Sequence, residues 1–290
     1  MRTAVLPSSL GLTCCPLAGQ PVGPVTRFVT LNICGPSVDR AERLISYLFG
    51  LHANALVLTE TRNNEGTNLL LRRLSEAGYS VNWLPPARHE RGVAVLERDG
   101  LSDWLVAAGV DLPHRLIVGG LRNQVPVTLV AAYVPSRDAS EGKICRKKTF
   151  LRQMAGVLRT AAGGGMVVFM GDLNIIGHDH VPRYAAFRSW EYDALDEITS
   201  MGFVDVYAEL NPGAQVHSWV SRRGAGYRYD YAYVSRDLLG SVHACRYVQE
   251  PRLAGLTDHA AVVLDLRCDR RCDISGASRP SSLHEPRTAS

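Results

Sequence analysis

Hydrophobic and polar positions follow two different periods along this chain. Short apolar runs rich in Val, Leu and Ile recur at Arg27–Asn32, Ala55–Glu60, 91–97, 115–121, 125–134 and 166–170. Such runs, bounded by polar turns, read as buried strands. Between them, apolar residues return every three or four positions, the helical spacing. Val38–Phe49 places Leu44, Ile45, Leu48 and Phe49 on one side, and Asn68–Gly78 carries Leu70, Leu71 and Leu74 with Gly78 as its stop. Lys147–Leu158 turns Phe150, Leu151, Met154 and Leu158 inward, and another helix is expected near Glu191–Met201. Shorter strands are expected around 203–207, 216–220, 227–235 and 260–266. Strands mixed with flanking helices give an α/β or α+β chain. Neither a short-period repeat nor a linker interrupts 26–266, so one domain is expected there.

Several strands carry a polar group where an apolar one would be expected. The run Met166–Met170 leads into Gly171-Asp172-Leu173-Asn174. Glycine permits a sharp exit, and Asp172 and Asn174, two apart, project from the same side of an extended chain. Ends of core strands are where α/β enzymes place reactive groups, although Asp and Asn also make ordinary turns. Leu256-Thr257-Asp258-His259 opens the strand Ala260–Leu266. A carboxylate beside an imidazole can hold a metal ion with one side chain and polarise a phosphoryl oxygen with the other. Asn32, Glu60 and Asp230 complete the series, each in or beside an apolar segment. Ionised carboxylates are seldom buried without a partner, so the series points to one shared site.

Seven short motifs stand in order: Leu-Asn-Ile-Cys-Gly at 31–35, Thr-Glu-Thr at 59–61, Arg-Gly-Val-Ala-Val at 91–95, Ala-Tyr-Val-Pro at 132–135, Gly-Asp-Leu-Asn at 171–174, Gly-Tyr-Arg-Tyr-Asp-Tyr at 226–231 and Thr-Asp-His at 257–259. Together they resemble the endonuclease/exonuclease/phosphatase family of metal-dependent phosphoesterases, closest to its exonuclease III and abasic-site endonuclease branch. The resemblance runs from about Phe28 to Leu266. It implies a DNase I-like, four-layer sandwich of two packed mixed β-sheets flanked by helices, with the active site at one end.

The resemblance also implies roles. Glu60 is expected on Mg²⁺ (Mn²⁺ substituting), since hard divalent cations prefer carboxylate oxygens, with Asp258 and Asn32 completing the metal site. Asp172 is the expected general base and Asn174 orients the water. His259 would donate to a non-bridging oxygen, with Asp230 fixing its tautomer, and the Tyr133 hydroxyl would touch the phosphate or the departing oxygen. Ser218-Trp219 and Gly226–Asp230 resemble the wall that receives a flipped sugar, so Trp219, Tyr227 and Tyr229 are expected at the substrate. Cys34 departs from the pattern, standing where an Asn or Asp is usual; a thiol is a poor magnesium ligand. The expected function is a DNA phosphodiesterase, an abasic-site endonuclease or 3′ exonuclease. The alternative is a phosphatase or phosphodiesterase of the same family acting on a small molecule or lipid headgroup.

Composition adds bounds rather than chemistry. With 290 residues and 46% hydrophobic content, the chain can bury one large core. A formal charge of +4 permits nucleic acid as a partner without requiring it. The densest basic stretch, Arg137 to Arg152, includes Lys147 and Lys148, which are expected at phosphates along with Arg137. His178 and His180 read as solvated and outside the site, and His217 as structural or a groove residue. Seven scattered cysteines, no convincing signal segment and no apolar run long enough for a membrane span suggest a reduced, cytoplasmic monomer. Residues 1–25 read as a loose leader and 268–290 as a disordered tail, around a domain of 26–267.

Overall fold

The computed structural model describes residues 25–98, 105–106, 109–121, 127–221 and 223–267. The leader expected at 1–25, apart from Val25, and the tail expected at 268–290 lie outside those residues.

Two six-stranded sheets form the body. The first contains β1 (Val25–Asn32), β2 (Ala55–Thr61), β3 (Ser80–Trp83) and β4 (Gly92–Glu97) from the first part of the chain. The second contains β5 (Leu105–Val106), β6 (Leu116–Leu121), β7 (Val127–Tyr133), β8 (Val167–Asp172), β9 (Phe203–Asp205) and β12 (Asp230–Ser235). A short hairpin, β10 (Trp219–Val220) with β11 (Gly226–Tyr227), stands apart, and β13 (Val242–Val248) and β14 (Ala261–Arg267) return to the first sheet. Their orders are β13-β14-β1-β2-β4-β3 and β5-β6-β7-β8-β12-β9. Each sheet has one parallel pair at its centre, β1 with β2 and β7 with β8, and antiparallel neighbours elsewhere.

Successive residues of a strand point to opposite faces, and both faces of these sheets are covered. Phe28 of β1, Leu129 and Ala131 of β7, Val168 and Met170 of β8, and Ala232 and Val234 of β12 pack between the sheets. Val29 and Leu31 face outward onto α1 (Val38–Gly50) and α2 (Glu65–Glu76), against Leu44, Leu48, Leu70 and Leu74. Val130, Phe169 and Tyr233 face the other way, onto α3 (Glu141–Gly163) and α4 (Ser189–Ser200), against Phe150, Met154, Leu158 and Ile198. The layers are helix, sheet, sheet, helix, as the family resemblance implies. Burying each large apolar side chain contributes roughly 1.5–3 kcal/mol, and all three clusters are almost fully buried.

Boundaries differ from the sequence expectation where local chemistry outweighs periodicity. α2 starts at Glu65 because Asn64 caps it, accepting from Thr67 N at 3.0 Å. α3 starts at Glu141 rather than Lys147; its first turns, with Gly142, Lys143, Cys145 and Arg146, bury too little to show a pattern. The strand expected at 203–207 ends at Asp205, whose side chain caps α5 (Val206–Leu210) through Ala208 N. Among 227–235, β12 begins only at Asp230, after a break at Arg228 and Tyr229. Strands β3 and β13, which the pattern misses, are sheet edges. A strand there is half covered and needs no continuous apolar run.

Candidate active site

The two-residue step that fills the inter-sheet layer also builds the site. On β1 it runs from Phe28 through Thr30 to Asn32, and on β8 from Val168 through Met170 to Asp172. Tyr133 pairs with Asp172 across β7 and β8, and Asp230 pairs with Asp172 across β12 and β8. One row of the second sheet thus ends in a phenol and two carboxylates, facing Asn32 of the first. The chains approach closely: Gly171 has φ +149°, and a Cβ there would lie 1.9 Å from Ala132 O. No other residue fits this position.

Asp172 is buried. Its Oδ2 accepts from Asn32 Nδ2 at 2.9 Å and its Oδ1 from Asn174 N at 2.9 Å. Burial, then the nearby Asp230 carboxylate, pushes the Asp172 carboxyl up to about 8, against the pull of His259. Asn174 holds φ +50°, the left-handed region that Asn tolerates. Its Nδ2 donates to Val134 O at 3.0 Å, which leaves the carboxamide oxygen as its free end. Asn32 is used up at both ends, since its Oδ1 accepts from Cys34 N at 2.9 Å.

His259 Nδ1 meets Asp230 Oδ2 at 2.7 Å, both fully enclosed. Burial works against the imidazolium, yet the Asp230 charge and hydrogen bond, helped by Asp172 and Asp258, raise it to about 9. Ser218 accepts from the backbone N–H of Tyr229 and Asp230, fixing the strand start. Asp172, Asp230 and His259 form a group of metal-binding size, their ligand atoms within 4.8 Å of one another. Asp230 Oδ1 is buried without a hydrogen-bond partner. The two carboxylates of this group suit a hard divalent cation, while the charged imidazole offers it no lone pair. Of the metal site expected from sequence, which is Asn32, Glu60 and Asp258, Asn32 bonds directly to this cluster through Asp172.

Glu60 and Asp258 stand on the rim of the cluster. Glu60 interrupts β2 where the register with β4 shifts between Thr59 and Thr61, with φ +56°. Such a bulge re-aims a side chain that strict alternation would turn toward α1 and α2. Its carboxylate accepts from the Tyr133 hydroxyl at 3.0 Å and faces Arg91 at 3.4 Å. The exposed Asp258 accepts from Trp219 Nε1 at 2.8 Å. The Cys34 thiol is near both acids: burial, then Glu60 and Asp258, raises its pKa. Burial, then Glu60 and Asp172, also keeps the Tyr133 phenol protonated far above its usual range.

Beside this cluster runs a wall of rings. Tyr227 and Tyr229 stack at 5.4 Å and 11°, and Trp219 lies 5.8 Å from each. Tyr184 and Phe187 extend the wall. So does His180, buried and 5.4 Å from Tyr227, not solvated as the sequence suggested. His217 lies over Gly226, where a Cβ would meet its ring at 2.2 Å, and His178 is exposed on Asp196.

The basic residues depart furthest from expectation. Lys147 is buried, not at the surface; its Nζ donates to Asn174 O and Glu191 Oε1, each at 2.7 Å. Arg137 forks onto Glu191 as well, through Nε at 3.1 Å and through Nη2. Lys147 thus braces the Asn174 loop directly, while Arg137 holds Glu191 and the carbonyl of Ala186. Lys148 alone stays exposed, its Nζ 5.1 Å from the Trp190 ring. Sequence spacing put all three on a charged face, but Arg137 precedes α3, and Lys147 falls on the same helix stripe as the buried Phe150, Leu151 and Met154. The hub acid, Glu191, carried no sequence signal beyond its place at a helix start.

Two sheets that end in buried carboxylates, an imidazole and a positioned phenol define a phosphoryl-ester hydrolase. The profile of the endonuclease/exonuclease/phosphatase family matches residues 29–259, and the chain belongs to that family. Solved structures share the fold. An AP endonuclease from Archaeoglobus fulgidus superposes with TM-score 0.71 at 22% identity, covering 82% of this chain and 98% of its own. A 3′-5′ exonuclease from Neisseria meningitidis gives 0.72 at 21%, covering 83% and 100%. An AP endonuclease from Leishmania major gives 0.69 at 21%, covering 84% and 88%. Among curated protein sequences, none matches the chain. Among the described residues, no helix is long and apolar enough to cross a membrane.

Proposed function

We propose that the protein is a divalent-metal-dependent DNA phosphodiesterase, an abasic-site endonuclease or 3′ exonuclease, with Mg²⁺ as its ion and Mn²⁺ as a substitute. The observation that carries this reading is the ring wall of Trp219, Tyr227 and Tyr229 standing directly beside the Asp172–Asp230–His259 cluster. Rings in that position suit stacking against a sugar or base turned out of a duplex, which an abasic site yields at least cost. The folds named above, two of them AP endonucleases and one a 3′-5′ exonuclease, support the same reading.

Asp172 is the base. Asn32 and Asn174 N hold its two oxygens in place, so the lone pair that takes a proton from water has a fixed direction. His259 spends Nδ1 on Asp230, which leaves Nε2–H to donate to a phosphoryl oxygen as negative charge grows there. Asp230 keeps that imidazole charged and oriented. The Tyr133 phenol, held protonated, is a second donor at the same end of the sheet. Glu60, Asp258 and the unpartnered Oδ1 of Asp230 are the groups that would hold the cation. A bound divalent ion supplies positive charge that polarises the phosphoryl oxygen and keeps nearby carboxylates ionised.

The test compares three substrates, with and without Mg²⁺: duplex DNA holding one abasic analogue, an inositol polyphosphate and a generic phosphodiester. Cleavage of the abasic duplex should predominate, vanish in excess chelator and return with Mg²⁺ or Mn²⁺. Full activity in chelator would refute the metal dependence, and preference for inositol polyphosphate would move the protein to the phosphatase reading. Glu60→Ala should raise the Mg²⁺ concentration needed for half-maximal rate while the protein stays folded.

A further inference from the structure

We propose that the arginine-lined cleft beside Tyr133 is a second anion subsite, which takes a phosphate of the substrate other than the one being cleaved. The inference rests on the reading of the protein as a DNA phosphodiesterase and adds to it. The cleft encloses about 450 Å³, and its walls carry Arg62, Arg88, Arg91, Arg115 and Arg146 against a single lining carboxylate, Glu90. Lys143 also lines it but is already paired, its Nζ 2.7 Å from Asp138. Five guanidinium groups around one acid leave a strong positive excess. Such a concave, one-signed surface concentrates anions.

Glu90 does not cancel that charge; it clamps it. Its Oε2 accepts from Arg115 Nη2 at 3.1 Å and from Arg146 Nη2 at 2.5 Å, so two of the arginines cannot swing freely. His114 stands 3.6 Å from the same oxygen, and burial together with Arg115 lowers its pKa, which keeps it neutral. Arg115 is 7% exposed, and its Nε and Nη1 have no hydrogen-bond partner; Arg146 Nε has none either. Buried donors without acceptors are rare, and a binding or catalytic role is among the few explanations for them.

The cleft is joined to the catalytic cluster through one residue. Tyr133 donates its hydroxyl to Glu60 and offers its ring to the Arg115 guanidinium, 4.6 Å from the centroid. Arg91 completes the bridge, 3.4 Å from Glu60. Arg62 lies across Gly35, where any Cβ would come within 2.4 Å of its Cδ. An anion seated on these forks therefore sits next to the reacting group. Guanidinium forks match phosphate oxygens two at a time. A second phosphate of the same substrate, whether an internal diester or a terminal monoester, is the anion that meets this geometry.

The first experiment needs no DNA. Inorganic phosphate is titrated by calorimetry, at low salt, into full-length protein carrying His259→Ala, which weakens binding at the reacting position. Adding Arg146→Ala or Arg88→Ala, both at solvent-accessible positions, should weaken phosphate binding roughly tenfold. Absence of millimolar binding, or binding that neither substitution alters, would overturn the proposal. The second experiment uses abasic duplexes with a 5′-phosphate or 5′-hydroxyl end, in which one phosphate at a time is a neutral methylphosphonate. At one position, neutralisation should lower kcat/KM roughly tenfold in the wild type and have little further effect in Arg146→Ala. A terminal position identifies a monoester and an internal one the backbone; strict additivity at every position would sink the subsite. A protein that binds phosphate through Arg146 yet leaves all DNA intact would refute the DNA reading and leave the subsite standing.

Discussion

At the scale of single residues, the pair Asp230 and His259 sets the acid side of the chemistry. Burial opposes the imidazolium, and the Asp230 carboxylate at 2.7 Å outweighs it, so the folded pKa stands at about 9 against an ordinary 6.5. The charged form therefore persists below that value and is lost as pH rises through it. Asp230→Asn removes the charge that holds the proton. The alkaline limb of the kcat/KM profile should move to lower pH, and turnover at neutral pH should fall by about 10²-fold or more. An unmoved limb would show that another group, not His259, sets it. Cys34 belongs to the same scale: burial and two carboxylates raise its thiol pKa, so it stays protonated and its reactivity is low.

At the scale of elements, helices α3 and α4 meet in an ion-pair hub. Lys147, from α3, bonds to Glu191 of α4 and to the carbonyl of Asn174, while Arg137 holds the other Glu191 oxygen. Burial alone would raise the Glu191 pKa, but Arg137 and Lys147 lower it. A depressed carboxylate contributes stability that is present above its unfolded pKa and disappears as pH falls through the folded value. Removing one partner strands the others: Lys147→Met should cost about 3–5 kcal/mol in denaturant unfolding. Replacing both, Lys147→Met with Glu191→Leu, should recover part of that loss. The advantage of wild type over Glu191→Gln should narrow below about pH 4. Equal stability of Lys147→Met and wild type would mean that the hub contributes nothing.

At the scale of the whole molecule, the chain closes on itself through β13 and β14. They supply one side of the first sheet, where β14 pairs with β1 from Val25 to Thr30. Thr257, just before β14, donates to Asn32 O at 2.7 Å, and Asp258 and His259 follow directly. Fold and site are therefore completed by the same late segment. A chain ending after Gly240 leaves β1, a strand buried on both faces, as an unpaired edge. It should lack cooperative thermal unfolding, measured by circular dichroism; a sharp transition near that of the full chain would contradict this closure.

Much of this protein is legible from the order of its residues. Periodicity marks the core strands and most of the helices, because a strand covered on both faces has to be apolar throughout. Polar residues at the ends of such runs, Asn32, Asp172, Asp230 and His259, stand out against that background because burying them without partners is costly. What the sequence leaves out is which partner each residue finds. Lys147 and Lys148 are adjacent and chemically alike, yet one is buried on Glu191 and the other lies open over Trp190. Arg115 and Glu90, 25 positions apart, meet only because β4 and β6 bring their loops to one side of Tyr133. Glu60 reaches the site through a bulge that alternation does not predict. Local patterning reports how much of each residue is covered. Tertiary packing alone decides what covers it, because that depends on the register and layering of strands far apart in the chain.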